Sequence, residues 1–160
     1  MQFTQSMSYP GTVDEVVAMY LTPDYLERRF GRFVVEGSTT VSVEGERVSY
    51  AGTVRPELIP AAATRFVKSD LRVTFTEEWT LNEAEATSHT SVTVDGAPVS
   101  VEATSTLTPS DAGSAREVSG NLSVRVPLLG GRIEKEAVAR VGRLTENEQA
   151  RAAQWLEEHR

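Results

Sequence analysis

Glu77 is the residue of this chain whose type and position most suggest chemistry. It shares parity with Phe75 and Trp79 in the alternating apolar run 71–81, so a strand there would turn its carboxylate toward the apolar side. Burial would raise the pKa of such a carboxylate and suit it to general acid or base work, or to holding a ligand hydroxyl or amine. The structural alternative is a register-shifting bulge, or an open rim where Glu77 meets an arginine, with Arg116 as the candidate.

Two aromatic side chains with polar atoms, Tyr50 and Trp79, fall on the apolar parity of their predicted strands. An apolar body with one polar atom suits the orientation of a mostly apolar ligand. The same properties also suit an ordinary hydrophobic core, and both interpretations stay open.

Histidine and cysteine offer little chemistry here. His89 shares parity with polar neighbours and His159 is the penultimate residue, while cysteine is absent. Neither histidine therefore predicts a base or a metal ligand, and no Gly-x-Ser-x-Gly motif indicates a serine nucleophile. The sequence predicts no metal and no cofactor.

Composition narrows the classes of partner. The 23 acidic residues outnumber the 16 basic ones and give a formal charge of −7, which disfavours binding to the phosphates of nucleic acid. No run approaches the roughly 18 apolar residues of a membrane span, and the first residues lack the basic and apolar pattern of a secretory signal. We expect one domain over residues 1–160, cytoplasmic, with no integral membrane association.

The first third of the chain predicts a strand and two short helices. Alternating apolar residues indicate a strand over 3–9, which a Pro-Gly pair ends. Thr12 and Glu15 match a capping box, which begins the first helix. Pro23, with Thr22 as its cap, begins the second.

Beyond these helices the apolar period changes to two, as in strands. The sequence predicts a hairpin turn at 44–46, a long strand over 71–81, a second turn at 95–96 and a last strand over 116–126. Residues 108–114, rich in Pro, Ser, Asp and Gly, predict a turn or mobile loop.

A long amphipathic helix follows from Ile133 to the C-terminus. Its apolar stripe comprises Ala137, Val141, Leu144, Ala152 and Trp155. Glu148 falls inside the stripe, and Thr145 three residues earlier completes a capping box that predicts a kink or restart. The whole pattern predicts an α+β fold, in which a curved antiparallel sheet of about six to seven strands grips the long C-terminal helix and two short helices follow the first strand.

The element order, the capped helix after the first strand and the segment VPLLGGRIEK at 126–135 resemble the START-like helix-grip (SRPBCC) superfamily, which includes polyketide cyclases and birch pollen allergens. The chain resembles an uncharacterised bacterial branch of that superfamily more closely. The resemblance covers essentially the whole chain. In that superfamily a cavity lies between the sheet and the last helix, which implies binding of an apolar small molecule.

Three functional hypotheses follow. The first is binding or carriage of a small hydrophobic molecule, lipid or polyketide-like, in that cavity. The residues predicted to line it are Tyr50, Phe75, Glu77, Trp79, Leu122, Ile133, Ala137 and Val141. The second is a cyclase or dehydratase-type enzyme with Glu77 as acid or base. The third is a protein-interaction module whose core is filled.

Overall fold

The computed structural model describes residues 1–65, 67 and 70–160. Its main elements are β1 Gln2–Tyr9, α1 Val13–Tyr20, α2 Pro23–Phe30, β2 Thr40–Glu44, β3 Arg47–Thr53, α3 Ala61–Thr64, β4 Arg72–Leu81, β5 Ala86–Asp95, β6 Val99–Ser110, β7 Gly113–Val124 and α4 Gly130–Glu158. Short 3-10 turns lie at Gly31–Phe33 and Pro56–Leu58. The predicted α+β architecture, with two short helices after the first strand and a long C-terminal helix, is confirmed.

The seven strands form one antiparallel sheet in the order β1-β7-β6-β5-β4-β3-β2. Strands β2 to β6 each pair with the next strand in the chain, whereas β1 pairs with β7, the last strand. The predicted hairpin at 44–46 is present, because Glu44 pairs with Arg47 across a two-residue turn. Gly45 has φ +58° there, a backbone conformation that glycine adopts without a steric penalty.

The turn predicted over 108–114 is present only at residues 111–112, and the rest of that segment is strand. Strands β6 and β7 run through this segment, with Thr108 paired to Ala115 and Ser110 to Gly113. Pro109 is tolerated because β5 pairs with β6 only as far as Leu107, so that β6 has a single neighbouring strand at the proline. Pairing with β7 decides the structure here, and composition alone did not reveal it.

The two short helices begin at the predicted residues. In α1 the Thr12 hydroxyl accepts a hydrogen bond from the Glu15 amide, and the Glu15 carboxylate accepts one from the Thr12 amide. In α2, Thr22 occupies the N-cap position and Pro23 the first turn. The Thr22 hydroxyl makes no capping bond and instead donates to the Ala18 carbonyl at 2.7 Å.

Helix α4 runs without interruption through 29 residues, so the predicted restart at Thr145 is wrong. Its contacts with the protein are unequal along its length. The C-terminal half buries Ala152, Trp155 and Leu156, whereas Leu144 in the N-terminal half is 44% exposed.

Two hydrophobic clusters fill much of the space between the sheet and the helices. The larger, here called the aromatic cluster, is built around Tyr9, Tyr20, Tyr25, Trp79 and Trp155, to which α4 adds Ala152 and Leu156. The second cluster contains Leu26, Val34, Val48, Tyr50 and Phe75. These clusters leave part of the sheet, below the N-terminal half of α4, without large buried side chains.

Candidate ligand-binding site

Three adjoining cavities lie between the sheet and the N-terminal half of α4, with volumes of about 240, 360 and 210 Å³. The first two share Phe3, Val101, Val141 and Leu144. The second and third share Pro60, Leu122, Ile133 and Ala137. Because the cavities have walls in common, we treat them as one space, here called the trough. Its shared walls are apolar throughout.

Small side chains leave the trough unfilled. On the sheet, Ala103 of β6 lies opposite Gly120 of β7. A Cβ atom on Gly120 would lie 2.5 Å from the ring of Phe3, so the absence of a side chain lets that ring lie against the strand. On α4 the facing residues are Ala137 and Val141. Small or medium-sized side chains therefore border the trough at these positions on both sides.

One end of the trough is charged. Four side chains, here called the charged cluster, lie there: Glu77, Arg116, Arg29 and Glu148. They come from β4, β7, α2 and α4, respectively. The sheet therefore supplies one ion pair and the helices supply the other.

Glu77 is fully buried and heavily hydrogen-bonded. Its carboxylate accepts hydrogen bonds from Thr90 Oγ1 at 2.7 Å, Arg116 Nη2 at 2.9 Å and Trp79 Nε1 at 3.1 Å. Burial works to raise the pKa of Glu77, but the charges of Arg116 and Arg29 outweigh it and the pKa is lowered. The sequence-based expectation of a raised pKa is therefore wrong, because it included the burial but not the two arginines.

Arg116 is held by both polar and aromatic neighbours. Its Nε donates to Ser105 Oγ at 2.9 Å and its Nη2 also lies 3.1 Å from Ser88 Oγ. Its guanidinium carbon lies 4.8 Å from the ring centre of Trp79 and 4.9 Å from that of Tyr20. The pairing of Glu77 with Arg116, one of the alternatives weighed from the sequence, is present in the structure.

The second ion pair joins the two helices. Arg29 Nε lies 3.1 Å from Glu148 Oε1, which also accepts a hydrogen bond from the Tyr25 hydroxyl at 3.0 Å. Burial and the nearby charge of Glu148 raise the pKa of Tyr25, so this hydroxyl keeps its proton. Arg29 Nη1 lies 3.9 Å from Glu77 Oε1, which connects the two ion pairs.

The structure divides the eight predicted lining residues into two groups. The trough is lined by Glu77, Leu122, Ile133, Ala137 and Val141. The others, Tyr50, Phe75 and Trp79, are buried in the two hydrophobic clusters.

The three clustered aromatic residues share the inward parity of the trough residues, but neighbouring rings cover them. Tyr50 and Phe75 pair across β3 and β4, and both pack against Phe30. Trp79 stacks on Tyr20 with ring centres 5.8 Å apart.

Sequence reasoning missed Arg29 and misassigned Glu148. A carboxylate inside the apolar stripe of α4 was interpreted as a helix-restarting cap, although its partners are Tyr25 and Arg29 on α2. A usable signal was present in both helices. Arg29 lies one helical turn after the buried Tyr25, and Glu148 lies inside an apolar stripe, so each occupies an inward-facing position.

Two further observations concern metals and membranes. Among the residues that the structure describes, no three His, Cys, Asp or Glu side chains are grouped so as to hold a metal ion. Across the same described residues, no helix combines the length and apolar character that crossing a bilayer requires.

Sequence comparison relates most of the chain to other proteins. Residues 4–156 match the family described as "Protein of unknown function (DUF2505)". An uncharacterized protein of Mycobacterium tuberculosis H37Rv is 28% identical over 166 residues, covering 96% of this chain and 95% of the relative.

Structure comparison finds solved proteins of similar fold. A conserved protein from Geobacillus kaustophilus has a TM-score of 0.58 at 19% identity, covering 99% of this chain and 96% of that one. Norcoclaurine synthase from Thalictrum flavum, solved in complex with dopamine and hydroxybenzaldehyde, has a TM-score of 0.58 at 13% identity, with coverage of 100% and 88%. At such identities the likeness establishes the fold alone.

Proposed function

This chain belongs to the DUF2505 family, and from that premise we propose that it is a START-like helix-grip protein that binds or carries a small hydrophobic molecule. The molecule, lipid or polyketide-like, occupies the trough between the sheet and α4. The observation that carries this proposal is the unfilled, apolar trough below the N-terminal half of α4, where Ile133, Ala137 and Val141 face it. Norcoclaurine synthase, a protein of similar fold, was solved with two small aromatic molecules, which is consistent with such a role.

The driving force is removal of apolar surface from water. Each methylene group that enters the trough contributes about 0.8 kcal/mol, and part of the total offsets the loss of freedom on association. The second cavity, of about 360 Å³, is walled mainly by aliphatic side chains and Phe3. An elongated aliphatic or polycyclic body is therefore the shape of ligand that this space favours.

The enzyme hypothesis has less support. A general acid must hold a proton, yet the pKa of Glu77 is lowered and its carboxylate already accepts hydrogen bonds from three side chains. The hypothesis of a filled core has less support for another reason. Such a core would need larger side chains than Ala103, Ala137 and Val141 where they line the trough.

Two tryptophan variants test the proposal. Ala137→Trp places an indole in the trough, whereas Ala139→Trp places the same group at an exposed position two residues away on α4. The neutral fluorescent probe N-phenyl-1-naphthylamine reports binding, and circular dichroism verifies folding. We expect Ala137→Trp to weaken binding by about tenfold or more, equivalent to about 1.4 kcal/mol, and Ala139→Trp to bind as the parent does.

Native mass spectrometry of the purified chain, followed by solvent extraction, would identify any apolar molecule that accompanies it. Probe binding that is equal in both tryptophan variants would remove the trough as the site. A parent protein that binds neither the probe nor any extracted apolar molecule would overturn the proposed function.

A further inference from the structure

The polar end of the trough carries an excess of positive charge. Three arginines and two glutamates line it: Arg29, Arg32 and Arg116 with Glu77 and Glu148. A fourth arginine, Arg151, lies 3.8 Å from Glu148 on the same helix. The whole chain has the opposite balance, with a net charge of −7. An acidic protein that gathers arginines at one end of an apolar cavity creates a local preference for anions.

The negative charges at this end are already engaged. Glu77 holds Arg116, and Glu148 holds Arg29 through Nε and also accepts from Tyr25. Arg32 donates from Nη1 to the Arg29 carbonyl, which adds no negative charge. The two carboxylates therefore leave part of the arginine charge uncompensated.

Two arginine nitrogen atoms are buried without a hydrogen-bond partner among the described residues: Arg29 Nη1 and Arg151 Nη1. The carboxylate oxygen of the Glu77 ion pair lies 3.9 Å from Arg29 Nη1, and that of the Glu148 ion pair lies 3.8 Å from Arg151 Nη1, both beyond hydrogen-bond distance. Buried donors in native proteins are nearly always paired, and cationic donors form the strongest hydrogen bonds with oxyanions. Both side chains have Glu148 as an ion-pair partner, and Arg29 also lines the first cavity, so its unpaired nitrogen atom is a donor available to an anion at that end of the trough.

The position of these donors fits an amphipathic ligand. Arg29 lines the first cavity together with Val141 and Leu144, and both of these residues continue into the second cavity. A molecule with its head at Arg29 therefore has an apolar path along α4 toward Ile133. The opposite end of the trough is walled by aliphatic residues such as Val126 and Leu71, which suits a hydrocarbon tail.

We infer that the ligand of the trough is an amphipathic oxyanion, an elongated apolar body ending in a carboxylate or a phosphate, whose head is held by Arg29 and Arg151. This inference rests on the proposed function and specifies the chemical class of the ligand. A carboxylate and a phosphate each present a pair of oxygen atoms that an arginine guanidinium can bind through two hydrogen bonds. The experiment below distinguishes these two head groups.

The experiment compares four ligands of equal chain length and different heads by isothermal titration calorimetry below their micelle concentrations: dodecanoate, dodecyl phosphate, dodecanol and dodecyltrimethylammonium. We expect one of the two anions to bind about tenfold or more tighter than dodecanol, since a hydrogen bond to a charged group contributes on that order. The cation should bind most weakly. Whichever anion binds more tightly identifies the head group.

Three variants connect this preference to named residues. Arg151→Met keeps an apolar stem on a side chain that is 21% exposed and whose described ion pair spans 3.8 Å, so the fold should tolerate it. Arg29→Lys keeps a positive charge but loses the fork that also pairs with Glu148. Arg143→Met is the matched control, because Arg143 lies on the same helix, is exposed and is not among the residues that line the trough. We expect the first two variants to lose most of the anion preference and the control to keep it.

The outcomes separate the two proposals. Equal binding of dodecanol and both anions, or tighter binding of the cation, would overturn the oxyanion inference while leaving the binding of an apolar molecule intact. An anion preference that survives Arg151→Met and Arg29→Lys would overturn the placement of the head. If none of the four ligands binds, and the neutral probe does not bind either, the proposed function fails together with this inference.

Discussion

The two halves of α4 share an apolar stripe, interrupted by Glu148, but lie over different surroundings. The C-terminal half enters the aromatic cluster, where the ring of Trp155 meets Tyr25 nearly edge-on with centres 5.5 Å apart. The N-terminal half spans the trough, and Leu144 there is nearly half exposed. An apolar stripe shows which side of a helix faces the protein, whereas the volume of the opposing side chains decides whether the space is filled.

The side chains that face the two halves of α4 differ in size. Tyr20, Tyr25 and Trp79 belong to the cluster that meets the C-terminal half. Ala103 lines the trough below the N-terminal half, with Gly120 as its partner on the next strand. One half of the helix therefore stabilises the fold by packing, and the other half borders the unfilled trough.

Truncating one side chain in each half of α4 gives the strongest test of this difference in packing. Trp155→Ala should lower the free energy of unfolding by about 3–5 kcal/mol, because it empties a packed position. Leu144→Ala should lower it by only about 1 kcal/mol, because nearly half of that side chain is already in contact with water. Urea denaturation measures both values. Similar losses for the two variants would show that the N-terminal half is packed as tightly as the C-terminal half.

The charged cluster lies where the filled and unfilled regions meet, and Glu77→Gln tests its role in holding them together. The variant should lose about 3 kcal/mol of stability, because Arg116 is left with its charge buried and without its ion-pair partner. Glu78→Gln is the matched control on the same strand. Its side chain is 64% exposed and lies 3.8 Å from Arg47, so its removal should change stability by less than about 1 kcal/mol. A Glu77→Gln protein as stable as the control would contradict a structural role for the buried pair.

The difference in stability between the parent and Glu77→Gln should depend on pH. The pKa of Glu77 is lower in the folded chain than in the unfolded chain, so its contribution is complete above the unfolded value of about 4.3. That contribution is lost as pH falls through the folded value. The parent should therefore lose its advantage over Glu77→Gln as the solution becomes more acidic, and a parallel decline in both proteins would contradict this assignment.

The smallest changes in stability are expected for alanine substitutions at two glycines, one on α4 and one on the sheet. A methyl group on Gly142, in α4, would have no neighbour within 4 Å, so Gly142→Ala should stabilise the chain by about 0.5–1 kcal/mol through helix propensity. On the sheet side, Gly120→Ala should destabilise it, because the added carbon would lie 2.5 Å from the Phe3 ring. Thermal denaturation resolves both signs. A loss of stability in Gly142→Ala would mean that α4 is not a regular helix at that residue.

Much of the fold could be predicted because local patterns and tertiary contacts agree. The Thr12 and Glu15 cap, the turn at Gly45 and the alternation of β4 all have local causes that the structure preserves. The two errors arose where a tertiary contact overrode a local signal. Strand pairing with β7 extends β6 through Pro109, and Glu148 turns to partners on another helix instead of capping its own.

The site was less predictable for a physical reason. Parity placed Glu77 inward and suggested Arg116 as its partner, because both lie on strands with a period of two. Parity cannot tell an inward side chain that lines an empty space from one covered by another ring, so Tyr50 and Trp79 were expected beside the ligand. Arg29 was missed because its position depends on how α2 lies against the sheet, and no local pattern encodes that arrangement.

The pairing of β1 with β7 also has a consequence for the order in which the chain folds. The amino group of Met1 donates to the carbonyl of Leu122, 121 positions away, whereas the pairings among strands β2 to β7 all join strands that are adjacent in the chain. Short loops close at a lower entropic penalty than long ones, so the six-stranded meander should form before its N-terminal strand is added. Amides of β1 should consequently exchange hydrogen with solvent faster than those of β5 and β6, and equal protection would contradict this order. Phe3, Gln5 and Met7 of β1 line the first cavity, where the charged cluster lies. This end of the trough would therefore be the last part of it to form.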